Sequence, residues 1–292
     1  MEHTYPNEML KILYERGSVR HYTDKPIDAN TLNWILGAGI HAASGGNLQP
    51  YSIIVIEKTT TKHVLAEMCQ QKFIATAPVN LLFCIDYRRN ARIAEKGNAP
   101  YTVPHSFRHF WISFQDVIIT AQSICTAADA LGLGSCYIGT IMEYMQQSKE
   151  IFSLPDSVIP VVLLTLGYPE NPPNVRNKLP LDMIVHREKY NDTDINTLYE
   201  AYRSREKDWK MDTTPEHVEE FREVCTLVGG KDFGDSCTAD VEKKGYFNAI
   251  QYRFGLHYSA DKMPKGNLDK INTLKKCGLL CFDKWGQDDS SP

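Results

Sequence analysis

The feature that most constrains this chain is the stretch 111–131. It carries Ile112, Val117, Ile118, Ile119, Ala121, Ile124, Ala128 and Leu131 and no proline. Its apolar residues fall nearly all round a helical wheel, which predicts a long, central, buried helix. Gly132 and Gly134 end it. A helix of that kind must be covered, and the covering elements are visible on both sides. Residues 51–57 and 79–85 are strand-length runs rich in β-branched and apolar side chains, the second opened by Pro78. Residues 158–166 form a third such strand, and 135–139 a short strand or turn. Helices are predicted over 9–15, 31–40, 61–70 and 143–152. The second of these puts Leu32, Ile35, Leu36 and Ile40 on one face, with Asp28 or Asn30 as its cap. Strands separated by long helices argue for a layered α/β or α+β domain, which closes near Tyr190.

Beyond Tyr190 the pattern changes. Residues 194–209 read as a polar helix, 212–264 mix charges, glycines and isolated aromatics without a clear period, and 267–280 read as a final helix. This divides the chain into a domain over 1–209 and a C-terminal extension over 210–292 of unassigned fold. The 292 residues hold 32 Lys and Arg against 36 Asp and Glu, a net charge of -4. That balance is wrong for a nucleic-acid or anionic-membrane binder, which needs a positive field. The most apolar strand, 158–166, is far too short to span a bilayer, and residues 1–15 lack the apolar region of a signal peptide. A cytoplasmic location is expected. Cys69, Cys84, Cys125 and Cys136 sit in apolar segments as small hydrophobes. Cys225, Cys237, Cys277 and Cys281 lie near the C-terminus without a C-x-x-C pair, so neither a metal site nor disulfides are expected. A small metal-binding appendage stays open as an alternative.

Four short segments carry chemistry. Arg16-Gly17-Ser18-Val19-Arg20 places two guanidiniums and a hydroxyl on alternate positions, so in extended backbone they converge, as a phosphate requires; a solvated basic turn is the alternative. In Ser44-Gly45-Gly46-Asn47-Leu48-Gln49-Pro50 the glycines admit backbone amides close to a planar ligand. Asn47 and Gln49 there supply donor and acceptor groups for an imide edge. Tyr137-Ile138-Gly139-Thr140 ends a strand with amides able to bond a ring nitrogen or carbonyl, and Arg176-Asn-Lys178 adds two cations in a loop.

Taken together and in this order, these segments resemble the nitroreductase / flavin reductase superfamily. So do Leu131-Gly-Leu-Gly134, Leu166-Gly-Tyr-Pro169 and Lys178-Leu-Pro180. The resemblance spans about residues 9–209 and is nearest to the NADPH–FMN oxidoreductase, or oxygen-insensitive NADPH nitroreductase, branch. It implies an α+β sandwich, a central mixed, mainly antiparallel sheet flanked by helices, and an intertwined homodimer with two FMN sites at its interface. It implies that Arg16, Gly17, Ser18, Arg20, Arg176 and Lys178 grip the FMN phosphate side. Ser44, Gly45 and Asn47 come from the partner subunit, Gln71 bonds the pyrimidine end, and Tyr137, Ile138 and Gly139 lie beside the flavin N5. No catalytic acid or base is required. NAD(P)H is the implied co-substrate, and a nitroaromatic, quinone or free flavin the small oxidised acceptor. Arg203 or Arg205 reads the 2′-phosphate of NADPH. Gly17 departs from the His or Arg usual at its position, and 212–264 has no counterpart. Two alternatives remain: another flavin reaction, such as dehalogenation or dehydrogenation, and a flavin-binding sensor without turnover.

Overall fold

A computed structural model describes residues 4–207 and 209–283. Its contacts divide the chain into two compact units, one running to Val175 and resuming at Leu268, the other Arg176–Asn267.

The first unit opens with α1 (Glu8–Glu15), whose cap Asn7 accepts from the Leu10 N–H. In α2 (Ala29–Ile40) the cap is Asp28, which accepts from the amides of Asn30 and Thr31. Then come β1 (Tyr51–Ile56), α3 (Thr59–Met68), the single turn α4 (Phe73–Thr76), β2 (Val79–Asp86), α5 (Tyr87–Lys96), α6 (Phe107–Ala130), β3 (Gly134–Ile138), α7 (Met145–Ile151) and β4 (Val158–Gly167). The strands form one sheet in the order β1-β2-β4-β3, every neighbour antiparallel. Both central strands, β2 and β4, are buried along their whole length. Their continuous apolar sequence is what a strand covered on both faces requires.

A strap from Ser18 to Thr23 lines the β3 side of this sheet. Ser18 makes a parallel bridge to Ser135, and the Val19 N–H donates to the Ser135 carbonyl at 2.9 Å. The Thr23 N–H donates to the Tyr168 carbonyl, also at 2.9 Å. The strap's other bridge, Tyr22 to Pro169, is antiparallel, so the expected mixed, mainly antiparallel sheet has antiparallel strand pairs throughout and an isolated parallel bridge at Ser18. Tyr22 locks the strap. Its buried hydroxyl donates to the Val19 carbonyl at 2.7 Å and hydrogen-bonds the Thr165 hydroxyl at 2.6 Å, and burial raises its pKa well above the usual phenol value. Tyr22→Phe is expected to cost about 1–3 kcal/mol, the penalty for orphaning buried polar partners, measured by urea unfolding.

The long helix is the central one, but it is not buried all round as its composition suggested. Val117, Ala121, Ile124 and Ala128 are fully buried, whereas Trp111 and Ile119 are 52% and 43% exposed. The sheet and α2 cover one side only. There α2 approaches so closely that a Cβ on Gly39 would stand 2.5 Å from Ile124 Cγ1. The helix predicted over 143–152 starts later, because residues Gly139–Tyr144 take a tighter 3₁₀ path.

The chain returns to this unit at its end. The helix α12 (Asn267–Lys276) leads Cys277 and Leu279 into the first unit's core. The Cys277 carbonyl accepts from the Ser157 N–H at 2.8 Å, and the Leu280 N–H donates to the Pro104 carbonyl at 2.9 Å. The expected boundary at 209/210 thus falls inside the second unit, and the last residues belong to the first.

The second unit holds α8 (Ile195–Arg205), a two-stranded ribbon of β5 (Lys210–Asp212) with β6 (Tyr246–Asn248), a packed pair α9 (Pro215–Gly229) and α10 (Lys231–Lys244), and the turn α11 (Ala249–Gln251). Gly230, at φ 85°, makes the link between α9 and α10. Phe221, Cys225, Val241 and Phe247 form its core. The stretch 212–264 had shown no period. Yet Val218, Phe221, Val224 and Cys225 are spaced for one helix face, and the last three are buried; intervening glutamates hid them. All eight cysteines are free thiols.

Candidate functional site

The strap carries the first expected site residues, and its strand-like alternation sorts them. Gly17 and Val19 are buried while Ser18 and Arg20 are exposed. Gly17 has no room for a side chain, since a Cβ would lie 2.6 Å from the Asn174 carbonyl oxygen. The arginine or histidine usual there is excluded by the backbone passing over it. The Arg20 guanidinium lies 5.8 Å from the Phe73 ring centroid. Arg16 turns inward toward the end of α6. Its Nη2 donates weakly to Cys125 Sγ at 3.4 Å and Ser135 Oγ at 3.5 Å. Its Nε stands 3.9 Å from Asp129 Oδ2, and the guanidinium lies 5.9 Å from the Tyr137 ring. That Nε is buried and has no hydrogen-bond partner within the protein.

Burial raises the Asp129 carboxyl to about 6, against the opposing pull of Arg16. Burial also raises the thiols of Cys125 and Cys136, so neither is poised as a nucleophile.

At the end of β3, Ile138 is buried and Tyr137 half-buried, the Tyr137 hydroxyl donating to Gln122 Oε1 at 3.4 Å. Gly139 follows in open space, with nothing within 4 Å of a Cβ built there. Gln71 Nε2 donates to Thr140 Oγ1 at 3.4 Å. Arg16 and Ser18 therefore lie beside the start of β3, Tyr137 and Ile138 on it, and Gly139 and Gln71 at the turn that follows it, with Arg20 on the same strap. Two cations, a hydroxyl, an amide and an unobstructed backbone turn are what an aromatic ligand with a phosphate tail needs.

The Ser44–Asn47 segment lies elsewhere. Gly45–Asn47 form a 3₁₀ turn, and Gly46 and Asn47 within it and Gln49 just after it take positive φ. The turn is tied down from two helices. From α6, Asp116 accepts the Gly45 N–H with both carboxylate oxygens, at 3.0 and 3.2 Å. From α5, Arg89 donates to the Gln49 and Tyr51 carbonyls, and Asn90 to the Leu48 carbonyl at 3.0 Å. Asp116 and Asp129 are 13 residues apart on α6, about 20 Å along the axis at ~1.5 Å per residue. Within one chain, then, Ser44, Gly45 and Asn47 do not join the Arg16 cluster. Gln49 spends its amide on the Ile40 carbonyl and the Tyr51 hydroxyl.

Arg176, Lys178, Arg203 and Arg205 belong to the second unit. Arg205 pairs with Glu206 at 3.3 Å and lies 4.1 Å over the Tyr202 ring, and Glu206 also takes Arg253 at 3.0 Å. Arg203 pairs with Glu200 at 3.0 Å and is the more accessible, 58% exposed against 21%.

Sequence reasoning missed Phe73, Arg89 and above all Asp116 and Asp129. The last two had a signal, being the acids within the apolar run 111–131.

Residues 13–168 match the family model described as Nitroreductase family. The NADPH-flavin oxidoreductase of Vibrio harveyi is 29% identical over 220 residues, covering 73% of this chain and 90% of that protein. The oxygen-insensitive NADPH nitroreductase of Salmonella typhimurium is 30% identical over 220 residues, covering 72% and 88%. Among solved structures, NfrA2 of B. megaterium superposes with a TM-score of 0.72 at 27% identity, covering 94% of this chain and 98% of that one. The NADPH:FMN oxidoreductase of Vibrio harveyi complexed with NAD+ gives 0.64 at 27% identity, covering 70% and 88%. The strap, the β3 turn and the sheet that positions them, together with a family match over more than half the chain, make this protein a member of the nitroreductase family.

Proposed function

We propose that the cluster along β3 and the turn that follows it holds FMN, with Arg16, Gly17, Ser18 and Arg20 on its phosphate side. Tyr137, Ile138 and Gly139 lie along the ring, and Gln71 reaches its pyrimidine end. Ser44, Gly45 and Asn47 complete the site from a second copy of the chain in an intertwined homodimer. The chain is an oxidoreductase of the FMN- and NAD(P)H-dependent kind to which its relatives belong. When bound, FMN would supply the chemistry of hydride transfer between NAD(P)H and a nitroaromatic, a quinone or a free flavin.

The observation that carries this reading is the set of donors left for a ligand. Arg16 and Arg20 stand on the strap beside β3, Asp129 is the ion-pair partner of Arg16, and the buried Arg16 Nε lacks a hydrogen-bond acceptor. A phosphate dianion satisfies both deficits. The open Gly139 turn presents backbone amides without Cβ obstruction. These residues bind, orient and polarise the cofactor, and no side chain here is asked to move a proton. A loop some 20 Å away along α6 can reach the same ligand only from another chain, and the half-exposed Trp111 and Ile119 give α6 an apolar stripe for that second copy. Arg203, the more accessible of the two arginines on α8, reads the 2′-phosphate that favours NADPH over NADH. The protein works in the cytoplasm.

Purified protein is expected to be yellow, or to become so with FMN, and its visible absorption to bleach under NADPH without oxygen. Protein that stays colourless after incubation with FMN sinks the reading. Bound flavin that NADPH does not reduce sinks the nicotinamide part of it.

A further inference from the structure

We propose that Asp129 is a positioning residue for the FMN phosphate site, fixing by charge where the Arg16 guanidinium lies. This rests on the reading of Arg16 given above.

Asp129 sits where a carboxylate is unwelcome. It occupies the last turn of α6, where the negative end of the helix dipole opposes an anion. Its side chain is only 14% exposed. The groups that face it are Arg16, at the end of α1, Cys125 on its own helix and Tyr137 on β3. Among the described residues its one ion pair is with Arg16. An uncharged residue would suit this position better for folding alone. Arg16, in turn, has besides only long contacts to Cys125 and Ser135 and the Tyr137 ring 5.9 Å from its guanidinium. Without Asp129 the guanidinium has no charged partner to stop it swinging out toward solvent. A locally unfavourable residue paired with a site residue is the pattern expected where stability is given up for function.

The sign of the pH linkage follows from the raised carboxyl value of about 6. Between about pH 4 and 6 the folded state binds more protons at Asp129 than the unfolded chain does. Stability therefore falls as pH rises through that window and is not regained above it. Removing the charge stabilises the apoprotein at pH 7.5 and changes little at pH 4.

The test compares wild type, Asp129→Asn and Arg16→Ala, each stripped of FMN. At pH 7.5, Asp129→Asn is expected to raise the apoprotein melting temperature by a few degrees. It is also expected to weaken FMN binding about tenfold, the lower end of what losing an outer supporting partner costs, read from quenching of flavin fluorescence. At pH 5 the affinity difference closes, because Asp129 is then protonated in wild type. The phosphate also titrates near pH 6, but it does so in both proteins and cancels in their ratio. Unchanged FMN affinity in Asp129→Asn at pH 7.5 overturns the proposal. So does a loss of affinity accompanied by a lower melting temperature, which marks a merely structural role. Arg16→Ala separates the two levels. If it binds FMN like wild type, the phosphate-site reading itself has failed. If it loses FMN while Asp129→Asn does not, only the role of Asp129 has.

Discussion

Arg16→Ala/Arg20→Ala protein is expected to purify without flavin and to bind added FMN at least 100-fold more weakly than wild type. Each guanidinium offers charge-assisted hydrogen bonds to a phosphate dianion, worth about 1.5–3 kcal/mol apiece. Losing both multiplies Kd by roughly 10² to 10⁴. The fold should survive. Arg20 is exposed and its contact is one ring face of Phe73. Arg16 leaves behind Asp129, which at neutral pH can take up a proton once its cation is gone, because burial already lifts its carboxyl to about 6. Flavin fluorescence titration gives the affinity and circular dichroism the fold. Retention of FMN at wild-type affinity by the double variant would remove the strap from the site. Arg203→Ala makes the contrast: it should leave FMN binding untouched and raise KM for NADPH.

The second large effect is expected at Asp116→Ala, a residue far from the strap. Its carboxylate accepts the Gly45 N–H with both oxygens and holds a turn that, with Gln49 just after it, places three residues at positive φ. Such a turn does not keep its shape unaided, since Asn47 and Gln49 pay for left-handed backbone. With the acceptor gone, the turn relaxes and Ser44, Gly45 and Asn47 lose their register. FMN affinity is expected to fall about 10- to 100-fold, the equivalent of one charge-assisted bond. Global stability should change less. Burial raises the Asp116 carboxyl, with the Gly45 N–H opposing, so deleting it removes a desolvated charge along with the bond. Asp116→Asn keeps an acceptor oxygen and should retain most of the affinity. Equal FMN binding by Asp116→Ala and wild type would show that this turn does not touch the cofactor.

Much of the first unit was legible because its elements obey local rules. Buried strands such as β2 and β4 are continuous runs of apolar residues, and Asp28 announces α2 through its cap. The strap alternates buried and exposed residues as extended backbone must. The second unit was not legible, because its small core of Phe221, Cys225, Val241 and Phe247 is drawn from three separated segments, α9, α10 and β6. Its helices are charged enough to mask their apolar face. The return of Cys277 and Leu279 to the first core was invisible for a related reason: nothing local in a short apolar run says which core it will join.

What the sequence determined by itself was the menu: which segments of the first unit are helix or strand, and which residue types stand ready for a phosphate and a flat ring. Those follow from backbone preferences and side-chain chemistry that act over a few residues. Only the tertiary structure decided the grouping. It brought Arg16 to Asp129, Arg20 to Phe73 and Gln71 to Thr140 across separations of 50 residues or more. It also kept the Ser44–Asn47 turn about 20 Å away along one helix. Such distances depend on how β3, the strap and α6 pack as solid bodies, and close packing is a property of the whole core that no single stretch of chain carries.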